Sequence, residues 1–327
     1  MFRPYGIRID CGALRGDARM RISASAAPLI GWAVLPDKTA KSQSAYQIQV
    51  SAGDRLLWDS GWTVSSEQSA RYAGPPLPVG ERICIKLRIK DQTGRESLPA
   101  EDFFYAGQIE RWDADWIAAS EDAPRKAVYF TRDFLLDEAP EDAYLLICGL
   151  GYHKVFLNGS AVDASLLDPA YSDYSKTCYY AVLPELSAYL KAGRNTVSVC
   201  VGEGWRRLDS AFIQMHLGAR RMRFEGMPQL SAMLYVKRSG VWYRCMATDA
   251  AWQWSHGPLL SNNLYDGCVY DARIPLSPPR PVRMAAAPGG KMCAQSLEPI
   301  RRKESWRPLS VLLLREDTYL VDFGQNM

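Results

Sequence analysis

Between Tyr144 and Trp205 the chain reads YLLICGLGYHKVFLNGSAVDASLLDPAYSDYSKTCYYAVLPELSAYLKAGRNTVSVCVGEGW, and two short-range signals in it constrain the fold. Asn158-Gly159 falls between VFL and SAV. A type I′ turn needs two successive residues with φ > 0, and Asn-Gly supplies them, so a tight hairpin is expected here. Farther on, Thr196 to Val201 alternates strictly. Val197, Val199 and Val201 share one face and Thr196, Ser198 and Cys200 the other, the pattern of a half-buried strand. Between the two lies one short helical piece. Pro184 suits its first turn, Leu183, Leu186 and Leu190 share a face, and Gly193 suits its stop. Strand, hairpin, short helix, turn and strand describe the core of a β-sandwich.

Residues 1–108 read as a sandwich of their own. Short strands are expected at Arg19–Ser25 and at Ile30–Leu35, with Trp32 in the core. Ala45–Ser51 alternates, placing Tyr46, Ile48 and Val50 on one face. Ser60-Gly61 turns the chain after LLWD, and Arg71–Leu77, with its two prolines, suits an edge or loop. Arg82–Lys90 alternates again, with Ile83, Ile85, Leu87 and Ile89 inside. Asp91–Gly94 turns, and Asp102–Tyr105 closes the unit. Strands about ten residues apart with turn signals between them mark an immunoglobulin-like or fibronectin-III-like sandwich. Gln108–Ala118 is the joint, and Trp112 and Trp116 are read as packing at a domain seam. Val128–Leu136 opens the second sandwich, which continues through Gln229–Lys237, a Ser239-Gly240 turn and Trp242–Met246. The segment RRLDSAFIQMHLGARRMRFEGMP after Trp205 reads as a loop. Residues 275–291, PLSPPRPVRMAAAPGGK, read as a linker.

The totals exclude several classes. A net charge of +3, with Lys and Arg spread out, gives no basic tract for nucleic acid. No apolar run approaches the ~20 residues of a membrane span. MFRPYGIRIDCGALRGDARM lacks a signal pattern, so the expected location is cytoplasmic. The eight Cys lie far apart, at 11, 84, 148, 178, 200, 245, 268 and 293, with no C-x-x-C. They read as small buried apolar groups rather than disulfide partners. The three His, at 153, 216 and 256, show no metal spacing. No G-x-S-x-G occurs, and the glycines at 149, 151, 202 and 204 precede no helix, so they form no phosphate loop.

GLGYHKVFLNG, then DPAYSDYSKTCYYAVLPELSAYLKAGRNTVSV, then VGEGW resembles the N-terminal β-sandwich of bacterial α-L-rhamnosidases, glycoside hydrolase family 78. The closing pattern, a W-x-W pair in DAAWQWSHGP followed by Tyr270-Asp271-Ala272-Arg273, is similar as well. So are the Trp112–Ile117 entry and the first-unit order AYQIQV, LWDSG, YAGPPL, KDQTGRES, FFYAG. Two departures stand out: Ile83, Cys84 and Ile85 replace a usual aromatic pair, and Gly267-Cys268 replaces a usual Gly-Glu. The resemblance implies an all-β chain of tandem β-sandwiches. An Ig/fibronectin-III-like unit (1–108) would precede a jelly-roll, galactose-binding-like unit (109–274). A linker (275–291) and the truncated start of a further β-domain (292–327) would follow.

In that family an inverting pair of carboxyls, about 6.5–9.5 Å apart, sits in a helical (α/α)6 barrel downstream. No long helix-period region occurs here, so the resemblance implies an accessory region with no catalytic residues, inactive alone, whose partner is the missing C-terminal catalytic domain. The alternative is a stand-alone carbohydrate-binding module for rhamnose or a related sugar, with a rhamnose-containing glycan as its partner. Sugar sites on sandwiches pair an aromatic face with a few amides or carboxylates. The candidates are Trp205, Tyr171, Tyr174, Asn158 and Glu203. Some family members bind rhamnose with Ca2+, which takes about six to eight oxygens, and Asp168 and Asp173 are the candidate ligands.

Overall fold

The structure, a computed structural model, describes residues 2–10, 12–14, 16, 18–207 and 226–325. Cys11, His216 and most of the loop after Trp205 lie outside them. Strands make up nearly all of the regular structure. Among the described residues the helical pieces are two 3-10 turns, Ala18–Met20 and Ser187–Tyr189. The second occupies the place of the expected short helix, and Leu183, Leu186 and Leu190 are buried around it.

The first sandwich packs a four-stranded sheet on a six-stranded one. Arg82–Asp91 is the spine of the larger sheet, paired with Gln43–Ala52 on one side and Ala100–Ala106 on the other. Its Ile83, Ile85, Leu87 and Ile89 are wholly buried, as period-two alternation requires. Opposite them lie Ile7, Ile9, Ile30 and Trp32. The strand Arg3–Ile9 was not legible in the sequence. Pro4 and Gly6 interrupt its apolar pattern, and the pairing register shifts between Tyr5 and Arg8.

The second sandwich stacks a seven-stranded sheet on a six-stranded one around Trp252, Trp254, Phe130 and some twenty aliphatic side chains. The Asn-Gly hairpin forms: Asn158 has φ 50° and Gly159 φ 83°, between His153–Leu157 and Ser160–Ala161. Gly193–Val201 alternates in burial as expected and pairs with both Val128–Leu136 and His153–Leu157. The stretch expected as a linker is woven into both sheets. Arg280–Pro281 pairs with Gln253–Ser255, and Arg283–Ala285 pairs with Trp116–Ala118. Lys291–Ala294 then runs parallel to Thr177–Leu183. Prolines are compatible with these positions because an edge strand needs a donor on one side only. Last comes the 310–322 hairpin, a separate two-stranded sheet.

The two sandwiches share a seam. Asp142–Leu150 is buried at every position but its first. Ala143, Leu145 and Ile147 face the second core. Tyr144, Leu146, Cys148 and Leu150 face outward into a third apolar cluster that also takes in Ile22, Val79, Ile109 and Trp112 from the first sandwich and the joint. Tyr180 ties the joint down: its hydroxyl donates to the Gly107 carbonyl at 2.8 Å and accepts from the Ile109 N–H at 3.1 Å. Trp242 donates to Glu81 at 3.0 Å. Trp116 is buried and Trp112 donates to the Ser231 hydroxyl at 2.8 Å, so both Trp residues belong to the seam.

Gly80 lies where the first sandwich meets the Tyr144 ring. Its φ is +79°, and a Cβ there would sit 2.0 Å from Tyr144 Cδ1. Gly80→Ala therefore meets both backbone strain and overpacking, and is expected to cost at least about 2 kcal/mol. Gly94→Ala, at φ +87° with open space around it, meets strain alone and serves as the milder control. Urea midpoints of the two variants check this. Equal losses would show that the seam yields freely around position 80.

Candidate functional site

One end of the second sandwich gathers the residues suited to binding. The chain leaves Gly193–Val201 through Gly202, Glu203, Gly204 and Trp205, and this segment crosses Gly149–Tyr152 in backbone contact. The Gly202 N–H donates to the Tyr152 carbonyl at 2.7 Å. A Cβ on Gly151 would lie 2.0 Å from the Gly202 carbonyl oxygen, so the crossing requires glycine. Trp205 emerges from it half-buried. Its ring centroid is 4.6 Å from that of Tyr171 and 6.4 Å from that of Tyr265. Tyr171 is 55% exposed. The three rings form an aromatic shelf open to solvent, the kind of apolar face that a sugar-binding surface requires.

Below the shelf a closed ring of hydrogen bonds joins three loops. The Arg125 N–H donates to Glu203 Oε1 at 2.5 Å. The Glu203 N–H donates to Asn262 Oδ1 at 2.6 Å, and Asn262 Nδ2 donates to the Arg125 carbonyl at 2.6 Å. Arg207 stands 3.6 Å from the same carboxylate. Glu203 is 1% exposed. Burial pushes its pKa up, against the pull of the Arg125 N–H and the Arg207 charge. The carboxylate fixes the loops that carry Trp205 and Tyr265; it does not reach the surface of the shelf.

The remaining predicted residues fall elsewhere. Tyr174 is 5% exposed and packs in the seam cluster. Asn158 lies at the far end of the His153–Leu157 strand from Trp205. Its amide donates to the Tyr189 carbonyl at 2.8 Å and to Asn195 Oδ1 at 2.9 Å, and its Oδ1 accepts from the Thr196 N–H at 2.9 Å. That side chain is committed to the turn. The structure thus brings together Trp205, Tyr171 and, from beneath, Glu203. Sequence reasoning missed Tyr265, Tyr152 and Asn262. The SNNLYDG run containing two of them signals a turn, but nothing in it says that the turn folds back over the sandwich end.

Asp168 and Asp173 do not converge. Asp168 is buried and accepts from Arg19 Nη2 at 2.9 Å, an ion pair that crosses from the first sandwich to the second. His153 Nε2 lies 3.8 Å from the same carboxylate, and both side chains are almost fully buried. Asp173 closes a local turn, accepting from the Ser175 N–H at 3.1 Å and its hydroxyl at 2.6 Å. Among the described residues no group of three or more His, Cys, Asp or Glu could hold a metal ion. With Asp168 neutralised by Arg19, these two residues do not fit a Ca2+ site of about six to eight oxygens. The described cysteines are free thiols.

The family described as "Alpha-L-rhamnosidase N-terminal domain" matches residues 138–304, and the one described as "Rha78A-like, N-terminal immunoglobulin domain" matches residues 19–110. An α-L-rhamnosidase of Formosa agariphila is 28% identical over 347 residues, covering 93% of this chain and 36% of that protein. One of an Alteromonas strain is 25% identical, covering 92% of this chain and 36% of that protein. The chain thus spans about a third of the length of these curated relatives. Among solved structures, the α-L-rhamnosidase from Dictyoglumus thermophilum aligns with TM-score 0.83 and 25% identity, over 99% of this chain and 39% of that one. The Aspergillus terreus enzyme shares the fold at TM-score 0.83 and 21% identity.

The buried Arg19–Asp168–His153 group makes stability depend on acid. For Asp168, burial would raise the pKa, but the charges of Arg19 and His153 and the hydrogen bonds from Arg19 and Gln295 outweigh it and hold the carboxyl below its usual range. A depressed carboxyl contributes stability above its unfolded value, about 3.9, and loses it as pH falls through the folded value. Burial also lowers the His153 pKa, so this imidazole resists protonation. Its contribution is complete above about 6.5 and declines as pH falls below that. Stability is therefore expected to fall as pH drops from about 6.5, with His153→Gln flattening the first part of that fall. Asp168→Ala, which strands Arg19, is expected to cost about 3–5 kcal/mol at neutral pH. Urea unfolding across pH 4–7.5 reads both effects.

Proposed function

The chain belongs to the alpha-L-rhamnosidase N-terminal domain family, and from that premise we propose that it is the N-terminal accessory region of an α-L-rhamnosidase-like glycoside hydrolase. On this reading its two sandwiches form one support that orients a separate catalytic domain, and the acid and base of the reaction belong to that domain. One observation carries the proposal: the likeness to the Dictyoglumus thermophilum enzyme runs over nearly all of this chain, seam included, while taking in well under half of that enzyme. The site chemistry agrees. The buried carboxylates Asp168 and Glu203 hold Arg19 and the Arg125 loop, and both side chains are turned away from solvent. The 310–322 hairpin is apolar and exposed on both faces, with Val311 and Leu313 on one side and Leu312 and Leu314 on the other. That surface suits packing against the catalytic domain.

Purified chain 1–327 is expected to release no para-nitrophenol from para-nitrophenyl α-L-rhamnoside. Turnover that survives repurification would place catalysis within these sandwiches and end the accessory reading.

The Trp205–Tyr171–Tyr265 shelf supports a second reading, a carbohydrate-binding surface for rhamnose or a rhamnose-containing glycan. A stacking aromatic is worth about 0.5–1.5 kcal/mol beyond its buried area. On this reading L-rhamnose binds the native chain, and Trp205→Ala weakens that binding about tenfold. Calorimetric titration decides. Absent heat at millimolar sugar, or equal heat from the variant, would remove the shelf from consideration as a sugar site.

A further inference from the structure

The 259–270 hairpin folds back over the outer face of the His153–Leu157 and Gly193–Val201 strands, and it does not close on them. A cavity of about 440 Å3 is left between sheet and hairpin. Cys200 and Tyr152 line it from the sandwich, Leu166 and Leu167 from the loop before Asp168, and Leu259 and Leu264 from the hairpin. The volume falls within the range of small-molecule pockets, about 300–1,000 Å3. Two adjacent leucines, each 47% exposed, border it. Leu167 is held at φ 51°, a left-handed conformation that costs a non-glycine residue about 1–3 kcal/mol. The Leu166 backbone pairs with Ile300, its N–H donating to that carbonyl at 2.8 Å, but the two half-exposed leucine side chains at the mouth of an apolar cavity belong to none of the buried clusters.

The polar groups around the cavity restrict the ligand. The Asn262 amide is spent in the ring with Arg125 and Glu203. The Lys154 ammonium is bound to Asp163 and to the Ser165 carbonyl. Two buried polar atoms of lining residues have no hydrogen-bond partner among the described residues, His153 Nδ1 and the Ser165 hydroxyl. The imidazole nitrogen sits against Gly149, which leaves the Ser165 hydroxyl, on a residue 2% exposed. A sugar brings several hydroxyls that this lining would leave unpaired, at about 1–3 kcal/mol each. An apolar ring with one polar substituent fits the inventory. We propose that the cavity between the sheet and the 259–270 hairpin binds a planar aromatic group carrying a single hydrogen-bonding substituent, which pairs with the Ser165 hydroxyl. The cavity adjoins the aromatic shelf, because Gly204 and Leu264 line it and immediately precede Trp205 and Tyr265. The assignment does not depend on the shelf binding sugar.

The test is fluorescence or calorimetric titration of para-nitrophenol and of 4-methylumbelliferone into the full chain. Saturable binding in the submillimolar range is expected. Cys268 lines the cavity from an exposed strand position, so Cys268→Trp should fill it without unfolding the sandwich and weaken binding at least tenfold. Ser165→Ala should weaken it several-fold and leave the circular dichroism spectrum unchanged. Excess L-rhamnose should not displace the aromatic probe. No saturation up to millimolar probe, or full affinity in Cys268→Trp, would overturn the proposal. So would displacement by rhamnose, which would make the cavity a sugar site. Aromatic binding without rhamnose binding would leave the cavity in place and remove the carbohydrate reading of the shelf.

Discussion

Everything in this molecule hangs on a strand with no solvent face. Asp142–Leu150 places Leu145 and Ile147 in one core and Tyr144 and Leu146 in another, so a single run of backbone belongs to two packed layers. A strand of this kind must be apolar on both sides, and its sequence, DAYLLICGL, is a continuous run rather than an alternation. Its inner face would be satisfied by any sandwich partner. Its outer face is satisfied only when the first sandwich and the 108–116 joint are docked on it. Seam and second core therefore share the same backbone, and the two sandwiches are joined by a packed seam rather than strung as beads. The Tyr180, Trp242 and Arg19 contacts add direction to a seam whose energy is mostly apolar burial.

From that strand the geometry of the sandwich end follows. Asp142–Leu150 runs into Gly151, and the glycine lets the chain cross the Gly202–Trp205 segment at contact distance. The crossing sets where Trp205 emerges. The Glu203–Arg125–Asn262 ring then pins the 259–270 hairpin to the same point. Aromatic shelf and apolar cavity are two sides of this one junction. A buried carboxylate is costly unless hydrogen-bonded, and Glu203 meets that condition by holding loops together. Its value to the site is positional.

The sequence displayed the local rules and hid the long-range ones. Period-two alternation at Arg82–Lys90 and Thr196–Val201 and the Asn158-Gly159 turn were legible because each depends on neighbours within a few residues. The strand Arg3–Ile9 was not, because a proline and a bulge spoil its period. Residues 275–291 read as a linker because proline and glycine recur through them, yet edge pairing tolerates that composition. Trp205 and Tyr171 could be named as candidates from residue type alone. That Asp168 faces Arg19, 149 residues away in sequence, is a property of the docked seam and has no local signature. The same holds for Tyr265, which reaches Trp205 only because its hairpin folds back.

The distribution of charge fits the accessory role proposed above. A carboxyl acting as acid or base must exchange its proton at neutral pH, which calls for a raised pKa and access to the reacting atom. Asp168 is held below its usual range by Arg19. Glu203 is raised, but it is turned inward, onto the Arg125 N–H. Asp37, Asp59 and Asp91 accept backbone or side-chain hydrogen bonds in turns of the first sandwich. These five acids hold loops and the seam. What faces solvent at the sandwich end is aromatic and aliphatic surface, Tyr171, Tyr265, Leu166 and Leu167 among it. On the accessory reading, a region built this way would hold a neighbouring domain at a fixed place relative to its own seam, and proton transfer would belong to that domain.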